Sequence, residues 1–249
     1  MKIIKKGIGI LIFLIFSSLF IYSIYKIITW KINIEENNNI KEVLSNEIKT
    51  VEENILTDKR KKYDVNFSSL KEKNKDTVAY LKVNNTRIDY VVVKTSDNSF
   101  YLTHNFDKNW NDAGWIFADY QNKFDGTDKN IVIYGHKMKD GSMFGTLKDT
   151  LNNSWYTNED NSKIVLVTEK DTYYYEIFSL YTIVPEMFYL SVNFADANEY
   201  TNFLNIIKSR SIYDFNVQVD SNDHILTLSS CLDSYNQKRV VIHARLISE

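Results

Sequence analysis

Thr227-Leu228-Ser229-Ser230-Cys231, followed by Arg239-Val240-Val241-Ile242-His243-Ala244-Arg245-Leu246-Ile247, is the part of the sequence on which the rest depends. Val217, Val219, Ile225, Thr227 and Leu228 favour an extended strand that ends on the only cysteine of the protein. Asp233-Ser234-Tyr235-Asn236-Gln237 then has the composition of a turn. In the second segment Val240, Ile242, Ala244 and Leu246 alternate on one face, which sends Arg239 to the other. Two such strands form a hairpin that presents a thiol and a guanidinium together. The alternative is a buried, inert thiol, because free cysteine is among the most buried residue types.

The N-terminus sets the compartment of that thiol. Lys2, Lys5 and Lys6 precede Gly7 to Tyr25, a run without charge and rich in Ile, Leu and Phe. At about 1.5 Å of rise per residue it nearly crosses a hydrocarbon core of about 30 Å. No small-residue cleavage site follows, and Tyr22, Tyr25 and Trp30 suit an interfacial belt, so the run reads as an uncleaved anchor. The leading lysines place the N-terminus inside and the remainder outside. Beyond residue 31 the chain carries 25 basic against 32 acidic residues, a net charge of −7 that argues against a nucleic-acid partner. A single cysteine outside the cell cannot close an intramolecular disulfide, so a chemical role is the stronger reading.

Downstream of the anchor, Glu35 to Asn39 reads as a flexible exit from the membrane. Ile40, Val43, Leu44, Ile48, Val51 and Ile55 give one apolar stripe on a long helix within residues 33–62, packed on its own domain. From Thr77 the period becomes two. Val78 and Tyr80, then Ile88, Tyr90 and Val92, flank Asn84-Asn85 as a hairpin. Further strands are expected at Trp115 to Ala118, Ile131 to Tyr134, Lys163 to Thr168 and Tyr173 to Val184. Tyr200, Phe203, Leu204 and Ile207 mark one helix over 196–210, with Asp196 and Glu199 as a capping-box-like start. Many short strands with one inserted helix suggest a mostly β chain built on a barrel.

A thiol nucleophile needs a proton acceptor and a group for the developing oxyanion. His224 lies seven residues before Cys231 on one strand, roughly 23 Å away at about 3.3 Å per residue, and is excluded. His243 shares a face with Arg239 but stands about 13 Å from it by the same measure. His104, in Tyr101-Leu102-Thr103-His104-Asn105-Phe106, reads as a surface residue of a polar loop. His136 directly follows Ile131-Val132-Ile133-Tyr134, with Gly135 permitting a sharp exit, and strand ends are where barrels present catalytic groups. It leads the four.

At these residues the chain resembles the sortases, most closely class B. The motifs are Thr227 to Cys231, Lys238-Arg239-Val240-Val241, Tyr134-Gly135-His136-Lys137-Met138-Lys139-Asp140-Gly141-Ser142-Met143-Phe144, Tyr101-Leu102 through Asn105-Phe106 to Gly114-Trp115-Ile116-Phe117, and Ala79-Tyr80-Leu81-Lys82-Val83 through Thr86-Arg87-Ile88-Asp89-Tyr90. They run in the family's order across 77–249. Ser230, Asn85 and Val91 stand where the family more often has threonine, glycine and proline.

The resemblance implies an eight-stranded sortase β-barrel with an inserted helix and an N-terminal helical appendage, preceded by one transmembrane helix. The division is a cytoplasmic N-terminus at 1–6, a transmembrane signal anchor at 7–28, an extracytoplasmic appendage at 29–76 and the catalytic barrel at 77–249. It implies a cysteine transpeptidase of a Gram-positive cell membrane. Cys231 would be the nucleophile, His136 the acid/base partner and Arg239 the stabiliser of the oxyanion or of the bound signal. Asn105, Ser229, Asp233 and Tyr235 would lie at the substrate. The partners implied are surface proteins with a C-terminal sorting signal similar to Asn-Pro-Gln-Thr-Asn or Pro-x-Thr-Gly, and an amine of a peptidoglycan precursor. No cofactor is implied, and no closely spaced His/Cys/carboxylate set suggests a metal. Two other functions compete: a thiol hydrolase that releases acid to water, and a non-enzymatic membrane-anchored scaffold.

Overall fold

The computed structural model describes residues 2–51, 62–231 and 238–247. It opens with α1 (Lys2–Ser45), then β1 (Ile48–Val51), β2 (Lys62–Val65) and α2 (Phe67–Lys73). There follow β3 (Thr77–Val83), β4 (Asp89–Val93), β5 (Phe117–Ala118), β6 (Asn130–His136) and α3 (Asn153–Tyr156). The chain continues through β7 (Lys163–Val167), β8 (Thr172–Ile183), α4 (Ala197–Ser209), β9 (Ile225–Cys231) and β10 (Arg239–Leu246).

Among the described residues eight strands close a barrel in the order β10-β8-β7-β3-β4-β5-β6-β9, with β9 returning to β10. Neighbours run antiparallel except at β4–β5 and β6–β9, which are parallel. The expected strands are present. Trp115 to Ala118 shortens to Phe117–Ala118, because the Trp115 N–H turns aside to the Tyr101 carbonyl. Val217 and Val219 fall outside β9, since Asp220 and Asp223 fold the chain into a turn just before it.

The N-terminal expectations need correction. α1 is one unbroken helix of 44 residues, so Glu35 to Asn39 is helical rather than a flexible exit. Asn33 and Asn37 are buried there against the barrel, where the Asn111 amide donates to the Asn33 carbonyl at 2.9 Å and to Asn37 Oδ1 at 3.2 Å. Asn33, Asn37, Ile40 and Leu44 form the packed face, while Val43 is exposed. The helix then stops at Ser45. Ile48 to Val51 is a strand antiparallel to β2, the β-branched Ile48, Thr50 and Val51 favouring extended backbone over a helical continuation. Ile55 lies outside the described residues.

α4 follows the expected pattern. Asp196 caps it by accepting from the Asn198 and Glu199 N–H groups, and Tyr200, Phe203, Leu204 and Ile207 are buried. The Glu199 carboxylate reaches one residue further back than a capping box, to the Ala195 N–H. Both faces of β10 are covered, because α4 sets the Phe203 ring against His243 on the face that carries Arg239.

Candidate active site

β6 and β9 lie side by side and parallel, with Val132 beside Thr227, Tyr134 beside Ser229 and His136 beside Cys231. Adjacent strands are about 4.8 Å apart, and paired residues share one side of the pleat. On the other flank β10 runs antiparallel to β9, pairing His243 with Thr227 and Val241 with Ser229. His136 therefore stands beside Cys231 at the end of β9, and Arg239 begins the strand on its other flank.

His136 is half-buried, and one ring nitrogen is already committed. Nε2 lies 2.7 Å from the Leu102 carbonyl, which can only accept, so Nε2 carries the proton and Nδ1 is the atom free to exchange one. Burial lowers the imidazole pKa, and the Leu102 bond opposes that in part. At neutral pH the ring is mainly neutral. The carbonyl is held by the turn at 100–102 and backed by Gly114, where a Cβ would meet the Tyr101 oxygen at 2.3 Å and the Leu102 oxygen at 2.9 Å. Gly135 serves a different end from the expected sharp exit. β6 runs straight through it, and a Cβ there would meet Ile116 Cδ1 at 2.4 Å and the Phe144 ring at 2.7 Å. The glycine allows the histidine-bearing strand to pack close.

Arg239 has one hydrogen-bond partner among the described residues: Nη1 donates to the Tyr189 hydroxyl at 3.2 Å. Its Nε is buried and has no partner among the described residues. Because the Tyr189 oxygen accepts from arginine, its proton can go to Ser229 Oγ, 3.1 Å away. Tyr189 is fully buried in a short turn between β8 and α4. Nothing in the sequence marked it among 17 tyrosines.

Of the four residues expected at the substrate, the structure describes Ser229 and Asn105. Ser229 is fully buried one pleat below Cys231, so it supports Arg239 through Tyr189 instead of offering surface. Asn105 is also fully buried, its Oδ1 accepting the Asn109 N–H across a turn. Asp233 and Tyr235 lie outside the described residues.

The other histidines are engaged elsewhere. His224 Nδ1 bonds the Asp128 carbonyl near the far end of β9. His104 is half-buried rather than a surface residue, stacked on Phe100 with ring centroids 4.1 Å apart and bonded to the Phe100 carbonyl at 2.9 Å. His243 is fully buried. The Thr227 hydroxyl donates to Asn130 Oδ1 at 2.7 Å, so it accepts from His243 Nδ1–H at 2.8 Å. Nε2 then accepts from the Tyr181 hydroxyl at 2.8 Å. Burial, with Arg210 adding to it, pushes this imidazole down to about 3. It is a neutral structural side chain. Among the described residues no three His, Cys, Asp or Glu side chains converge as a metal site.

The chain is similar in sequence and fold to known proteins. The sortase domain family matches residues 81–247. The sortase B of Listeria monocytogenes is 32% identical over 252 residues, covering 99% of this chain and 99% of that protein. The crystal structure of sortase B from B. anthracis superposes with a TM-score of 0.75 at 31% identity, over 88% of this chain and 99% of that one. The Staphylococcus aureus sortase B–substrate complex gives a TM-score of 0.68 at 33% identity, over 73% of this chain and 84% of that one.

Proposed function

The chain belongs to the sortase family, in its class B, and is a cysteine transpeptidase; from that premise we propose that Cys231, His136 and Arg239 carry out its reaction. The observation behind the assignment is that His136 pairs with Cys231 across β6 and β9, while Arg239 begins β10 on the other flank of β9.

Cys231 attacks the carbonyl carbon of a threonine in a C-terminal sorting signal similar to Asn-Pro-Gln-Thr-Asn or Pro-x-Thr-Gly. A C–S bond forms, and the carbonyl π electrons move to oxygen. Arg239 stabilises that oxyanion with donors that its one described partner leaves free. His136 supplies its Nδ1 proton to the leaving amine as the C–N bond breaks, leaving a thioacyl enzyme. The amine of a peptidoglycan precursor then attacks the thioester, a C–N bond forms as the C–S bond breaks, one amine proton passes to His136, and Cys231 leaves as the thiolate. Before substrate binds the imidazole is mainly neutral, since burial disfavours the imidazolium. The minority thiolate–imidazolium form is the one that reacts.

For location, we read residues 7–28 of α1, with the uncharged run Gly7 to Tyr25, as a membrane anchor. This part of α1 has the length and hydropathy of a span and is unburied within the protein. The reading leaves 1–6 cytoplasmic and the barrel outside, with the 29–76 appendage between. A quenched sorting peptide, incubated with the purified chain with and without an amine acceptor, tests the activity. Ligated product is the expected result. Release of acid alone, even with amine present, would favour a hydrolase, and no cleavage of any signal variant would favour a scaffold.

A further inference from the structure

We propose that the turn carrying Trp110 is a second membrane contact, seating its indole in the outer interfacial layer of the bilayer that α1 spans. The proposal rests on the reading of α1 as an anchor. Because α1 continues unbroken to Ser45, whatever packs on its lower part has a fixed height above the membrane. Within the apolar run Ser18 and Ser23 donate back to the Ile15 and Leu19 carbonyls, each at 2.8 Å, which satisfies hydroxyls that hydrocarbon could not.

Lys26 is the first charged residue after that run and marks where the helix leaves the hydrocarbon. Its ammonium lies 3.8 Å from Asp112 Oδ2, while Asp112 Oδ1 accepts the Trp110 Nε1–H at 3.0 Å. One carboxylate thus holds the indole at the level of Lys26. The buried Asn111 fixes the turn from above through its bonds to Asn33 and Asn37. Trp110 is 65% exposed, with its N–H satisfied and most of its ring open to solvent. An amphipathic indole in that state suits the headgroup layer, where tryptophan concentrates. Asp112 is taken up by the Trp110 N–H and Lys26, and Glu36 lies beside Asn111, so the contact is made by the ring and does not depend on anionic lipid. The same turn leads to the site. The Trp110 ring meets His104 edge-on at 5.5 Å, and two residues before His104 the Leu102 carbonyl holds His136.

The test uses the full chain with Trp30→Phe, reconstituted in phosphatidylcholine vesicles containing lipids brominated at a shallow or a deep position. Trp115 and Trp155 are buried, so Trp110 dominates the quenchable emission. The expected result is loss of emission that is greater with the shallow label, unchanged by added phosphatidylglycerol, and abolished by adding Trp110→Phe. Flotation after an alkaline wash runs in parallel. If the protein floats but acrylamide quenches Trp110 and brominated lipid does not, the contact is overturned and that face is free for another partner. If it does not float, the anchor reading fails and the contact fails with it.

Discussion

Arg239 keeps most of its donors unused among the described residues and leans on one phenol, which makes Tyr189 the side chain that aims it. Tyr189→Phe removes that acceptor and strands the buried Ser229 hydroxyl, at a cost of about 1–3 kcal/mol in stability. The measurable consequence is a lower kcat/KM with a native circular dichroism spectrum; unchanged kinetics would mean that Arg239 is aimed by other contacts. Arg239→Lys keeps the charge but loses the planar fork, and should lower kcat/KM by about a hundredfold, the range for one oxyanion donor. If the lysine enzyme works at full rate, the oxyanion is held elsewhere. Because burial lowers the His136 pKa, the acid limb of the kcat/KM profile should fall below the free imidazole value of about 6.5. His136→Ala should abolish turnover, whereas His104→Ala should only slow it through loosened packing.

At the scale of elements, the parallel pair β6–β9 and the turn at 100–102 do the positioning. Gly114 is the point where they are most sensitive. Its φ is +58° and its missing Cβ makes room for the Tyr101 and Leu102 carbonyls. Gly114→Ala should cost about 1–2 kcal/mol from the left-handed backbone alone, and push the Leu102 oxygen away from His136. A misplacement of about 1 Å can cost about a hundredfold in rate, so kcat should fall more than the melting temperature suggests. Full activity in this variant would show that the Leu102 bond does not orient the base. His243 makes a separate prediction for the sheet beneath. It stays neutral when folded, down to about 3, but takes a proton near 6.5 when unfolded. Stability should therefore fall as pH drops from about 6.5 toward 3, with a slope of up to about 1.4 kcal/mol per pH unit. His243→Gln should flatten that slope in urea titrations at successive pH values, whatever its own cost at pH 7.

Strand periodicity was legible at this scale, but partners were not. The alternation in 239–246 gave the face of Arg239, yet nothing local shows that β9 takes β6 as its parallel neighbour. That pairing joins residues far apart in sequence and is fixed by closure of the barrel. The helix reading of 33–62 failed after Ser45 because Ile48 and Val51 suit either period, and the strand partner β2 decided between them.

In the whole molecule, one long helix and one barrel share a polar seam of buried asparagines, which a hydrophobicity pattern cannot register. Asn37 reads as part of a flexible exit from sequence, and the structure makes it, with Asn33 and Asn111, a packing contact. The candidate chemistry was more legible than its supports: Cys231, His136 and Arg239 followed from residue type, strand ends and family motifs. Tyr189, Leu102 and Gly114 act through positions that only the closed fold creates. Whether Cys231 takes the acyl group from a sorting signal can be read by mass spectrometry of the trapped enzyme. The chain is mixed with a sorting peptide in the absence of amine, quenched in acid and digested. A thioester adduct on the peptide containing Cys231, absent in Cys231→Ala and discharged by an added amine acceptor, is the predicted result. Peptide cleavage at the wild-type rate with no adduct on Cys231, or cleavage that survives Cys231→Ala, would contradict it.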